Sequence, residues 1–147
     1  MTPPFQFAVT STEPHLPFSD GYFTFVYAGS VFTHMNDLSV AWLLELRRVL
    51  KPGGRAYLTF NDTVSAAVVT KKYSGSYDQL KLQAVTTALG RTLEEVNFLC
   101  IDQPPYSSIF YNRDFLKARL GRLFQLKGVY DEAFGWQSAY LVQVGQV

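Results

Sequence analysis

An α/β fold, built on a parallel βαβ unit and closed by a C-terminal antiparallel hairpin, is the architecture the sequence predicts. Three observations carry it. Residues 22–30, "YFTFVYAGS", are an uncharged run apolar on both faces, the pattern of a buried parallel strand. An amphipathic helix follows, then Lys51-Pro52-Gly53-Gly54, then a second run apolar on both faces through Ala56, Leu58 and Phe60. Strand, helix, tight exit and strand imply a parallel pair with a right-handed crossover. Near the C-terminus, "LFQLKGVY" and "WQSAYLVQV" flank Asp131–Gly135 and read as a hairpin.

The elements follow in order. "FQFAV" (5–9) reads as a short strand, and 11–21 as a loop punctuated by Pro14, Pro17 and Gly21. After the first long strand, Asn36 or Asp37 is the expected cap of a helix. Its apolar face would be Leu38, Trp42, Leu46, Val49 and Leu50. Arg47, Arg48 and Lys51 then oppose the negative end of the helix dipole. Pro52 cannot continue the helix, and Gly53-Gly54 permits a left-handed exit. Residues 61–108 are less regular. "SYDQLKLQAVTTALG" reads as a helix stopped by Gly90, and "TLEE" (92–95) as a capping box. A loop at 103–108 precedes a helix capped by Asn112 and stopped at Gly121. Tyr106, Phe110 and Tyr111 form an aromatic cluster with two readings, core packing or the lining of a substrate entrance.

Composition bounds the function. The 147 residues are expected to form one domain with a real core, since 48% are hydrophobic and 16% aromatic. A net charge of +1 makes no broad case for nucleic acid or an anionic membrane as partner. Two histidines and the single Cys100 supply neither a disulfide nor a metal site of known spacing. The start, "MTPPFQFAV", lacks the basic flank of a secretory signal. A soluble cytoplasmic protein is the expectation.

"LPFSDGYFTFVYAGSVFTHM" (16–35) followed by "WLLELRRVLKPGGRAYLTF" (42–60) resembles the middle of class I S-adenosylmethionine-dependent methyltransferases of the small-molecule type. The likeness is close over 13–60 and looser over 109–147. It implies a Rossmann-like methyltransferase sheet, truncated at its N-terminal side, with the antiparallel hairpin at its C-terminal end. The family's glycine-rich loop and the acidic residue that grips the ribose have no counterpart in 1–147. Thr24 also stands where the family usually has Asp.

The resemblance implies S-adenosylmethionine as cofactor and a small-molecule acceptor. It places Thr12 and Glu13 beside the adenine ring. Ser30, Val31 and Phe32 follow the first long strand at the carboxyl edge of the sheet, where open α/β folds bind ligands. The competing reading of Phe32 is a core aromatic. His34 is the candidate catalytic residue, able to take a proton from a substrate hydroxyl or amine. The competing reading is a histidine hydrogen-bonded near the start of the next helix. Two functions stay open: methyl transfer, or a non-catalytic remnant or partner-dependent half, completed by a second copy or by an N-terminal half in trans.

Overall fold

The computed structural model describes residues 5, 7–35, 38–101 and 107–146. A six-stranded mixed sheet forms its centre. The strands are β1 (Phe23–Ala28), β2 (Leu50–Asp62), β3 (Phe98–Ile101), β4 (Ser108–Tyr111), β5 (Gln125–Phe134) and β6 (Gln137–Gln143). They run in the order β3-β4-β2-β6-β5, with β1 pairing β2 off this path. The helices are α1 (Ser39–Val49), α2 (Thr63–Lys72), α3 (Tyr77–Leu89) and α4 (Arg113–Leu123). The βαβ unit is therefore β1-α1-β2, with β1 and β2 parallel. The C-terminal hairpin is β5-β6, antiparallel, with β6 also antiparallel to β2.

The joint between α1 and β2 shows why its residues are so specific. Phe23 pairs with Leu50, but Phe25 pairs with Arg55, so residues 51–54 loop out of the ladder. Gly53 holds φ +75, and a Cβ on Gly54 would sit 2.8 Å from the Lys51 carbonyl oxygen. Neither position accepts a side chain without a shift. The loop is tied across the sheet, as the Gly53 amide donates to the Val144 carbonyl and the Val144 amide to that of Gly54.

The core lies between β2 and the helices that flank it. Phe60 is its aromatic centre: Phe32 stacks on it at 5.2 Å, and Tyr111 and Tyr140 meet it edge-on at 5.8 and 5.5 Å. A buried carboxylate ties the other end of β2. Asp62, fully buried, caps α2 by accepting from the Val64 and Ser65 amides at 3.0 Å. It also accepts from Arg113 Nε (2.9 Å), Ser138 Oγ (3.0 Å) and Tyr140 Oη (2.5 Å). Burial, then the adjacent Asp62 charge, push the Tyr140 phenol above its ordinary range. One side chain thus joins α2, α4 and β6.

Several sequence expectations change. Phe5, Phe7 and Val9 are exposed, and 7–9 form no strand, because nothing covers an apolar face there. Asn36 and Asp37 lie outside the described residues, and Leu38 occupies the N-cap of α1 at φ 61. The buried stripe of α1 is Ser39, Leu43, Leu46 and Val49. Leu38 is exposed and Leu50 already belongs to β2. Residues 61–75 contain α2, whose cap is the last residue of the strand before it. β3 and β4 were hidden because four-residue strands show no period. α4 runs through Gly121 to Leu123. The stop at Gly90, the cap at Asn112 and the Thr92–Glu95 box appear as expected, and Ser76 caps α3.

Candidate functional site

The chain leaves β1 at the carboxyl edge of the sheet through Gly29 and Ser30. Ser30 adopts φ 55, a left-handed conformation that costs a non-glycine residue about 1 kcal/mol or more. A closed ring of hydrogen bonds holds it there. The Ser30 amide donates to Thr59 Oγ1 at 2.7 Å, and Thr59 Oγ1 donates to Gln137 Oε1 at 2.6 Å. Gln137 Nε2 closes the ring on Ser30 Oγ at 2.9 Å. β1, β2 and β6 each contribute one member, so the turn cannot move without all three strands.

The turn that follows divides its residues between core and solvent. Phe32 and Thr33 are buried at 1% exposure, while Val31 and His34 face outward. Phe32 stacks on Phe60, so its side chain is part of the core. His34 Nδ1 lies 2.7 Å from the Ser107 carbonyl oxygen. A carbonyl only accepts, so Nδ1 carries the proton and Nε2 is left as the free acceptor.

A hollow of about 440 Å³ opens beside this turn, lined by Thr10, Ser11, Thr12, Val31, Met35, Leu38 and Trp42. Its walls are apolar, with three hydroxyl-bearing residues on one side. The structure thus brings Thr12 and Val31 together. Glu13 and Ser30 do not line the hollow: Glu13 is exposed one residue further on, and Ser30 is engaged in the ring below.

The loop leading into β1 is held by a second cluster. Glu45, on α1 and 7% exposed, accepts from the Leu16 amide at 2.6 Å and from Arg48 Nη2 and Nε at 2.6 and 2.8 Å. Arg48 also donates to the Phe18 carbonyl (2.9 Å), the Leu16 carbonyl (3.2 Å) and Asp20 Oδ1 (2.7 Å). Hydrogen bonding to Arg48 outweighs burial and, with the Leu16 N–H, holds the Glu45 carboxyl down at about 2. Arg48 therefore does more than oppose the helix dipole: it clamps Leu16–Asp20 onto α1.

Comparison with known proteins shows what this arrangement is similar to. A family model described as a methyltransferase domain matches residues 2–58, the span from the N-terminal segment through β1, α1 and the joint into β2. An uncharacterized methyltransferase of Schizosaccharomyces pombe is 37% identical over 83 residues, covering 53% of this chain and 30% of that protein. A Methanosarcina mazei protein described as a SAM-dependent methyltransferase superposes with a TM-score of 0.62 over 93% of this chain at 16% identity. The fold is that of a class I S-adenosylmethionine-dependent methyltransferase. A second such methyltransferase structure is the 1,6-didemethyltoxoflavin-N1-methyltransferase of Burkholderia thailandensis, solved with that substrate and S-adenosylhomocysteine bound. It superposes at TM-score 0.60 over 94% of this chain with 10% identity. The chain spans 66% and 50% of these two methyltransferase structures, and under a third of the yeast relative.

Position along the chain explains which residues around the turn and hollow carried a signal beforehand. Thr12, Val31 and His34 stand in or beside motifs with a fixed order along the chain. Gln137 and Thr59 do not, because the ring they complete spans 107 residues of sequence. Met35, Leu38 and Trp42 carried no signal beyond helical spacing.

Proposed function

We propose that residues 1–147 form the acceptor-side part of a cytoplasmic S-adenosylmethionine-dependent methyltransferase acting on a small molecule. The observation that carries this reading is the hollow at the carboxyl edge, walled by Val31, Met35, Leu38 and Trp42 and rimmed by Thr10–Thr12. Its apolar walls and hydroxyls suit the flat base and sugar edge of a nucleoside. No charged side chain lines it, so the ammonium and carboxylate of the cofactor's amino-acid end find no partner there. The fit is to the nucleoside end alone.

When bound, S-adenosylmethionine supplies an electrophilic methyl group. What this chain contributes is position and a proton acceptor. The Ser30–Thr59–Gln137 ring fixes the turn, and the turn sets Val31 in the hollow's wall. His34, with Nδ1–H donated to Ser107, offers Nε2 to an acceptor hydroxyl or amine. Such a base contributes about 10²–10⁴ in rate. The Burkholderia neighbour, solved with 1,6-didemethyltoxoflavin bound, supports extending the small-molecule class to this chain.

The uncharged hollow also favours the second reading, a half that depends on a partner for the rest of the site. Calorimetric titration of residues 1–147 tests both. S-adenosylmethionine and adenosine should bind within a few-fold of each other, at about millimolar strength, because only base contacts are shared. Each missing charge-assisted hydrogen bond is worth about 1.5–3 kcal/mol. A low-micromolar constant for S-adenosylmethionine alone would sink the proposal that the amino-acid end lacks a partner here. In the complete enzyme, His34→Gln should lower turnover about 10²-fold or more while S-adenosylhomocysteine binding stays unchanged.

A further inference from the structure

Gln137 begins β6 and is buried, yet both ends of its carboxamide are committed to the turn that carries His34. Its Oε1 accepts from Thr59 Oγ1 at 2.6 Å, and its Nε2 donates to Ser30 Oγ at 2.9 Å. A buried polar group satisfied at both ends is held in one orientation.

The linkage continues past Ser30. Ser30 Oγ lies 3.3 Å from Thr33 Oγ1, and buried Thr33 directly precedes His34. The Thr33 carbonyl accepts from the Ile109 amide at 2.9 Å, which holds the start of β4 against the turn. His34 donates from its backbone N–H to the Val31 carbonyl at 3.3 Å and from Nδ1 to the Ser107 carbonyl at 2.7 Å. Both partners of that last bond are therefore placed by groups tied to Gln137: the imidazole through the turn, the Ser107 carbonyl through Thr33 and Ile109. Ser30 itself points the same way. Glycine would hold φ 55 without strain. Serine at that position supplies the hydroxyl on which Gln137 and Thr33 converge.

We infer that Gln137 is a positioning residue for His34: it keeps the Nδ1 proton on the Ser107 carbonyl and so leaves Nε2 as the unprotonated nitrogen. Which ring nitrogen carries the proton is set by the hydrogen bond it makes. The catalytic meaning of this placement rests on the reading of His34 as the proton acceptor. The placement itself is measurable without turnover, so the two fail separately.

The test is long-range proton–nitrogen NMR of the neutral histidine rings in the purified protein, with exposed His15 as the internal reference. In the wild type the Nδ1–H form of His34 should dominate. Gln137→Leu should lower the ratio of the Nδ1–H to the Nε2–H form about fivefold or more, as expected for one lost hydrogen bond. Thr59→Ser keeps the ring's oxygen and should retain the wild-type ratio. Ser30→Gly suits φ 55 and folds, so it carries the test where Gln137→Leu does not fold, and it should lower the ratio likewise. An unchanged ratio in the folded variants overturns the inference, since a purely structural role would lower stability and leave the tautomer alone. A wild-type His34 that is mainly Nε2–H overturns it as well.

Discussion

Within one turn, Phe32 and His34 sit two residues apart and do opposite work. Phe32 fills the space against Phe60, and its removal leaves a cavity that the surrounding sheet cannot close. Phe32→Ala should cost about 3–5 kcal/mol in denaturant unfolding. His34 is exposed and makes one side-chain hydrogen bond, to the Ser107 carbonyl. His34→Ala should change stability by about 1 kcal/mol or less. A loss of several kcal/mol would mean that Ser107 depends on that bond for its placement. Sequence offered both readings for each residue. For Phe32 the core reading required the position of Phe60, which is remote in the chain and adjacent in space.

At the scale of elements, the joint after α1 and the clamp before β1 are the two devices that set β1 against β2. The joint was legible, because Pro52-Gly53-Gly54 has few conformational uses. Gly54→Ala would drive a methyl group against the Lys51 carbonyl at 2.8 Å and should destabilise the protein by about 1–3 kcal/mol. The clamp was not legible, since Glu45 and Arg48 look like ordinary solvated charges at i and i+3. Its pH dependence has a definite sign. Glu45 titrates at about 2 in the fold against 4.5 ordinarily, so its contribution is complete above pH 4.5 and lost as pH falls from 4.5 through 2. That contribution is on the order of 2 kcal/mol. Glu45→Gln should therefore flatten the stability profile over that window, measured by urea unfolding at successive pH values. An unchanged acid slope in Glu45→Gln would assign the loss to other carboxylates.

For the whole molecule, Asp62 is the point on which the middle and the C-terminal part of the chain converge. β2 ends there, α2 begins there, and Arg113, Ser138 and Tyr140 reach it from α4 and β6. Asp62→Ala leaves the Tyr140 hydroxyl and the Arg113 guanidinium without their buried partner. It should cost about 3–5 kcal/mol, and thermal melting should show both the hairpin and the α2–α4 region lost together. Retention of one without the other would show that the sheet is not a single cooperative unit. No helix among the described residues is long and apolar enough to cross a membrane, in keeping with a sheet whose helices each have a polar side.

Order along the chain was enough to determine the βαβ unit, its tight exit, the C-terminal hairpin and the likeness to class I methyltransferases. Those features rest on local chemistry: strand runs, a helix period, and Pro and Gly where the backbone has few alternatives. Tertiary structure alone decided that Phe32 is core, that Arg48 is a clamp, and that Gln137 closes the ring beneath Ser30. It alone showed that α2 starts from a buried aspartate that Arg113, Ser138 and Tyr140 also reach. Each of those depends on a contact between residues far apart in the chain, and no local pattern encodes which distant side chain will arrive.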